Sequence, residues 1–336
     1  MSEALGTLDA PVLVLADLDG TRPTDPALEL VAAARTLTGG GGDVVALTLG
    51  PVEAEASAAL AAAGANRLLV ADLGGERAQA AAGADAVVAA VHEVAPGAVL
   101  VSSDYRGKET AGRAAVLLDS ACVSDVADLR VVDGALHADR LVLSGSWSTT
   151  MSANAHTVHP PILAVRPGSV EVPDASVDDA APLPAVALEA AVSPEAAAVR
   201  LVSRESTAAA AGPDLAGART VVVGGRGVDG DFDLVRSLAD PLDAAVGATR
   251  VACDEGWIER SAQIGQTGVS IAPRLYIGLG VSGAIHHTSG IQGAGTIVAV
   301  CDDSEAPIFE MADFGVVGDV TEVVPQLVAE LDRLRG

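Results

Sequence analysis

The chain has 336 residues, half of them apolar, and a formal net charge of −25. That field repels nucleic acid and anionic membranes, and with aromatics at only 2% there is no stacking platform for single strands. The three cysteines, Cys122, Cys253 and Cys301, form no CxxC pair, which argues against a metal site or disulfide framework and fits a reducing compartment.

Cys122 and Cys253 are expected as small core residues. No stretch approaches the roughly 20 uninterrupted apolar residues of a membrane span. Residues 1–10 have neither the basic nor the apolar region of a secretory leader, so a cytoplasmic location is expected. The length predicts two domains.

In chain order, β-rich runs alternate with alanine-rich helical runs. Strands are predicted over 12–16, 44–49, 68–71 and 98–102, and helices over 26–37, 52–63, 75–91 and 108–118. This order predicts an α/β fold, a Rossmann-like parallel sheet with helices on both faces. From about Asp125 strands follow without helices, at 129–132, 135–143 and 162–165, with Asp133-Gly134 as a hairpin turn. A β-rich extension of the first domain is therefore expected. Residues 167–184 read as loop and 186–191 as a strand, and the domain boundary is placed at 205/206.

The second α/β domain, 206–336, restarts with a strand at 220–223. A helix is predicted at 232–246, a strand at 274–279 and a helix start at Gly283. Strands at 296–300 and near 312–317 precede a last helix at 320–334.

Two literal GxGxxG motifs lie in this second domain, each between a strand and a helix: Gly225-Arg-Gly-Val-Asp-Gly230 and Gly278-Leu-Gly-Val-Ser-Gly283. Placed twice at strand ends, they argue for a nucleotide diphosphate at the sheet edge, against the alternative of two tight turns. A dinucleotide site also asks for an acidic residue about 20 positions on; Asp243 and Asp254 bracket that place without a clear strand end. Arg250 is either a surface or ion-paired residue, or a ligand-facing cation. Thr267 either caps a helix or meets a ligand. His286 and His287 are adjacent on a helix, so they point about 100° apart and are expected as one packed and one solvated ring, not a metal pair. His156 and His159 read as structural or surface residues. No Ser/His/Asp or Cys/His order suggests nucleophilic catalysis.

The second domain closely resembles the α subunit of electron transfer flavoprotein. The likeness rests on Gly-Gly-Arg-Gly at 224–227, Ala-Val-Gly-Ala-Thr-Arg at 245–250 and Gln-Ile-Gly-Gln-Thr-Gly at 263–268. It continues through Ala-Pro-Arg-Leu-Tyr-Ile-Gly-Leu-Gly-Val-Ser-Gly-Ala-Ile-His-His at 272–287, Glu-Ala-Pro-Ile-Phe at 305–309 and Ala-Asp-Phe-Gly-Val-Val-Gly-Asp at 312–319. The first domain agrees more loosely, at 112–119 and 123–126.

The resemblance implies an electron carrier, not an enzyme with its own substrate. It implies one FAD held by the C-terminal domain and a heterodimer with a β subunit that binds AMP. It implies flavin dehydrogenases, such as acyl-CoA dehydrogenases of fatty acid β-oxidation, as donors and a membrane quinone oxidoreductase as acceptor. By position, Arg250 would lie over the isoalloxazine ring, Thr267 near flavin N5 and His287 on the O2 side. Gly225, Arg226, Thr249, Gln263, Gln266, Gly268, Ser282 and Gly283 would line the flavin, ribityl and pyrophosphate path, and Asp319 the adenosine end.

Two positions depart from the family. His286 stands where glutamine is common, which would make the flavin's surroundings sensitive to pH. Cys301 stands where an asparagine commonly contacts the nucleotide half, and a thiol is a poor substitute for an amide. A nicotinamide-dependent dehydrogenase and a flavin-free paralogue with a regulatory or structural role are the alternative readings.

Overall fold

The structure, a computed structural model, describes residues 5–74, 79–142, 147–173, 180–203, 213, 215 and 217–335. The chain divides into two compact units, Met1–Val142 with Ser146–Glu205, and Ser206–Gly336 with the short piece Leu143–Gly145.

The first unit contains β1 (Val12–Leu15), α1 (Asp25–Leu37), β2 (Val44–Thr48), α2 (Ala54–Ala63), β3 (Arg67–Val70), α3 (Ala80–Val94), β4 (Ala98–Ser102) and α4 (Tyr105–Leu117). These are followed by β5 (Cys122–Val132), β6 (Ala135–Val142), β7 (Trp147–Asn154), β8 (Ile162–Val165) and β9 (Ala185–Ala187). They form a mixed sheet in the order β7-β6-β5-β8-β4-β1-β2-β3-β9. From β8 to β9 the neighbours are parallel, and β5, β6 and β7 are antiparallel. The parallel strands read as continuous apolar runs because helices cover both faces. Val12 and Val14 join one core cluster, and Leu13 and Leu15 the other. At the β5–β6 turn Asp133 and Gly134 both take positive φ, 50° and 79°. That is what a two-residue hairpin demands and what Asp-Gly accommodates.

The second unit contains β10 (Thr220–Gly224), α5 (Phe232–Ala239), β11 (Ala245–Ala248), α6 (Arg250–Asp254), β12 (Leu275–Leu279), α7 (Ile285–Thr288), β13 (Thr296–Cys301), β14 (Phe314–Val317) and α8 (Val320–Arg335). Among the described residues its five strands are all parallel, in the order β11-β10-β12-β13-β14. Val222 packs with Phe232, Val235 and Leu279 on one face, and Val221 and Val223 pack with Tyr276, Ile264 and Ile308 on the other.

Several expectations need correction. The helix predicted over 232–246 stops at Ala239. Pro241 lies in a tighter 3-10 turn, and Asp243 ends it in the left-handed region at φ 49°. Ala245–Ala248, Ala-Val-Gly-Ala, form a strand that their weak β preference concealed. β7 was missed because it is polar and solvent-facing, and β5 begins seven residues before the predicted 129. Cys122 is exposed at the start of β5, not a core residue, and Cys253 is half-buried. The helix predicted at 75–91 spans Ala80–Val94, with 75–78 outside the described residues. The helix start expected at Gly283 falls at Ile285, and the strand at 186–191 is Ala185–Ala187.

One carboxyl in the first unit carries a pH signature. Glu29 on α1 accepts the Gly168 amide at 2.7 Å, and burial pushes its pKa from 4.5 up to about 7. Between those values the native state holds a proton that the unfolded chain has released, so stability falls as pH rises through that window. Glu29→Gln is expected to be more stable than the parent at pH 8 by about 1–2 kcal/mol, after discounting for partial exposure. Chemical denaturation at pH 5 and pH 8 should show that gap narrowing at the lower pH.

Candidate functional site

In the second unit the chain leaves β10 for β11 on one side and returns to β12 on the other. Such a reversal opens a crevice at the carboxyl ends of the two central strands. Both glycine motifs end up there, and they hold each other. The Gly225 amide donates to Leu279 O at 2.9 Å and the Gly227 amide to Gly280 O at 3.0 Å. A Cβ on Gly225 would lie 2.3 Å from Gly280 O, and one on Gly227 would lie 2.7 Å from Gly280 Cα. Close backbone approach is therefore what these glycines supply. Gly225 is buried, its amide is spent, and it shapes the crevice without forming part of the pocket wall.

The crevice opens into a pocket of about 240 Å³. Its wall brings together nine of the sequence-predicted residues: Arg226, Thr249, Arg250, Gln263, Thr267, Ser282, Gly283, His286 and His287. Each comes from a segment that follows a strand or lies in a loop between strands. Val251, Ile264, Val281 and Ala284 supply apolar wall that the sequence reading had not named.

Two wall residues carry unspent polar atoms. Thr249 sits just before α6 and is buried, yet its side chain makes no cap bond, and its Oγ1 has no partner among the described residues. Gln263 is 2% exposed; its Nε2 donates to Thr267 Oγ1 at 2.9 Å, while Oε1 has no partner among the described residues. Buried polar atoms are paired in most proteins, so two unpaired ones on one wall point to a ligand that completes them. Because Thr267 accepts from Gln263, its own hydroxyl proton stays available for donation.

The charges differ in character. Arg226 is exposed, and Arg250 Nε lies 3.5 Å from Asp254 Oδ2 with more than half its side chain in solvent. His286 is exposed, and its Nδ1–H donates to Gln266 Oε1 at 2.8 Å. His287 is 5% exposed and lies 3.1 Å through Nδ1 from Ile264 O and 2.8 Å through Nε2 from the Tyr276 hydroxyl. Burial pushes its pKa down to about 4, so the ring is neutral. Asp254 is engaged by Arg250 and Arg260, and Asp243 closes the turn before β11.

Gln266, Gly268, Cys301 and Asp319 lie outside this wall. Gly268 closes the turn, where a Cβ would meet Gln263 O at 2.1 Å. Cys301 is buried in the cluster with Ala306 and Ile308, its Sγ 3.9 Å from Asp302 Oδ1. Asp319 caps the start of α8, accepting the Thr321 hydroxyl at 2.7 Å and its amide at 2.8 Å; these bonds hold its carboxyl below the usual range.

An apolar patch, two unspent polar atoms, a free hydroxyl proton and two guanidinium groups fit a flat, amide-edged ring that gains negative charge, as the isoalloxazine of FAD does. Thr249→Val deletes the unspent hydroxyl while keeping its shape. Removing an unpaired buried hydroxyl is expected to raise the thermal unfolding temperature of the flavin-free chain, since its desolvation penalty of about 1–3 kcal/mol is relieved. It should raise the FAD dissociation constant about two- to tenfold, the range of one hydrogen bond; titration of flavin fluorescence checks this.

Comparison with known proteins agrees with this geometry. The family model described as the electron transfer flavoprotein FAD-binding domain matches residues 214–292, and the electron transfer flavoprotein domain matches 12–193. The electron transfer flavoprotein subunit alpha of Mycobacterium leprae (strain TN) is 39% identical over 313 residues, covering 92% of this chain and 94% of that protein. Its counterpart from Mycobacterium tuberculosis (strain ATCC 25618 / H37Rv) is 39% identical over 333 residues, 97% of this chain and 100% of that protein. The subunit from Bacillus subtilis (strain 168) is 33% identical over 337 residues, with coverage of 96% and 98%. The pocket lies within the matched FAD-binding domain, and the chain belongs to the electron transfer flavoprotein family as an α subunit that binds FAD.

Proposed function

We propose that this subunit is one half of a soluble cytoplasmic electron carrier. With its β subunit, which binds AMP, it accepts electrons from flavin dehydrogenases such as acyl-CoA dehydrogenases of fatty acid β-oxidation. It delivers them to a membrane quinone oxidoreductase and turns over no small-molecule substrate of its own. The observation that carries this reading is the pocket at the switch point of the second sheet, with Thr249 Oγ1 and Gln263 Oε1 unspent beside Arg226 and Arg250.

FAD supplies the redox chemistry, and the chain binds, orients and tunes it. Arg250, at the start of α6, would hold its positive charge beside the ring and offset negative charge that gathers there. Thr267, whose hydroxyl proton is left free by the Gln263 bond, would donate to the ring. Thr249 and Gln263 would hold the ring's polar edge, and Ser282 and Gly283 would border the chain that leads to the diphosphate. His286 adds a titratable group that reaches Gln266 and connects two wall segments. Gln266 and Gly268 hold the turn that presents Thr267, and Cys301 and Asp319 would stand toward the adenosine half.

The test is the absorbance of the chain purified with its β subunit, followed by addition of an acyl-CoA dehydrogenase and its substrate. Near-stoichiometric FAD that is bleached in a substrate-dependent way supports the carrier. A colourless heterodimer that cannot be reconstituted with FAD would overturn it in favour of a flavin-free paralogue. Arg250→Gln should lower the flavin midpoint potential by an amount on the order of tens of millivolts, the scale of one solvent-screened charge at close range. Spectroelectrochemical titration of parent and variant measures the shift.

A further inference from the structure

Asp254 closes the short helix α6 that Arg250 opens, and a spacing of four puts the two side chains on one face. Arg250 meets the carboxylate through Nε, 3.5 Å from Oδ2. A guanidinium carries five N–H groups, and contact through Nε leaves the four on the terminal nitrogens without a bond among the described residues. The other carboxylate oxygen is engaged as well, since Oδ1 accepts from Arg260 at 3.4 Å. Arg260 begins a 3-10 turn, Arg260–Ala262, that ends at Gln263, whose amide donates back to Arg260 O at 3.1 Å. Gln263 is the wall residue with the unspent Oε1. One carboxylate therefore stands between a cation of the wall and the segment that carries its acceptor.

We infer that Asp254 is a positioning residue for the flavin pocket: it holds Arg250 by Nε so that the terminal nitrogens stay free for the ligand, and through Arg260 it keeps that guanidinium in register with the turn that delivers Gln263. Asp254 itself lies outside the pocket wall, so it acts through Arg250. A long side chain with more than half its surface in water samples many rotamers. An anchor at Nε removes part of that freedom before the ligand arrives, and the cost of ordering the side chain on binding falls.

A second contact points the same way. Cys253 Sγ donates to Glu259 O at 3.5 Å, so α6 is tied to the approach to Gln263 at two adjacent positions. The sign of the effect separates positioning from a simple countercharge. A carboxylate near a ring that gains electrons opposes that gain, so as a countercharge alone Asp254 would lower the flavin potential, and its removal would raise it. With 47% of the Asp254 side chain in solvent and the residue outside the wall, that direct field is screened. An unanchored Arg250 instead spends less time beside the ring, and the potential falls.

The effect on the flavin rests on the flavin reading; the hold on Arg250 does not. In the flavin-free full chain labelled with ¹⁵N-arginine, the Arg250 Nε–H signal, assigned by its loss in Arg250→Gln, reports that hold. Its exchange with solvent should quicken about two- to fivefold in Asp254→Asn, the range of one exposed ion pair. It should stay near the parent rate in Asp254→Glu, which keeps the charge. In the flavin-loaded heterodimer, Asp254→Asn should lower the midpoint potential in the same direction as Arg250→Gln but by less. Asp254→Glu should keep most of the parent potential. Adding Asp254→Asn to Arg250→Gln should produce no further shift.

A midpoint potential that rises in Asp254→Asn would make Asp254 a countercharge and overturn the inference. So would an unchanged potential, or a shift of equal size with and without Arg250. Nε–H exchange that is the same in the parent and Asp254→Asn would overturn it as well. If the parent heterodimer binds no FAD at all, the flavin reading fails, and the Nε–H exchange of the parent and its variants still decides whether Asp254 holds Arg250.

Discussion

The second unit depends on one backbone contact, the pair of hydrogen bonds from Gly225 and Gly227 to Leu279 and Gly280. It fixes the ends of the two central strands at a separation that no side chain tolerates. The segments that leave those ends carry Arg226 on one side and Ser282, Gly283, His286 and His287 on the other. The pocket is therefore the geometric residue of two loops packed together, and its binding groups are set by where the chain emerges from that contact. The glycines do not reach for the ligand; they let the loops that do so stand close.

The electrostatic design follows a related economy. A chain of net charge −25 keeps the wall of this pocket supplied with two guanidinium groups. Arg250 is poised by Asp254, an exposed partner four residues on that leaves the guanidinium half in water. His287, by contrast, is neutral because burial opposes its charge and both its nitrogens are engaged. Fixed charge at the wall comes from the two arginines, which cannot lose it.

Much of this was legible in the sequence. Alternation of apolar and alanine-rich runs located the parallel strands of the first unit, because burial on both faces leaves a continuous apolar signature at β1, β2, β4 and β8. The diagnostic run from Ala272 to His287 identified the family, and most of the residues carried over from it meet on one wall. What escaped had physical causes. β7 is solvent-facing and polar, so no hydrophobic period marks it. β11 is built of small residues that equally suit a helix. Cys122 begins a strand at a position where the chain emerges into solvent, a fact that residue type alone does not encode. The role of Asp254 was hidden because an acidic residue on a short polar stretch looks like solvated surface. Only the approach of Arg260, six residues later, makes it a link between two segments of the wall.

The unspent atoms of Thr249 and Gln263 have a consequence for the life of the chain before its cofactor arrives. Each buried polar atom without a partner costs on the order of 1–3 kcal/mol. A chain that folds empty carries that penalty, and its relief is one part of the free energy with which flavin binds. The folded state with flavin bound is therefore favoured over the empty one, and the population of opened chains falls as free flavin rises. The same two atoms that would grip the ring thus also tie the stability of the fold to its occupancy.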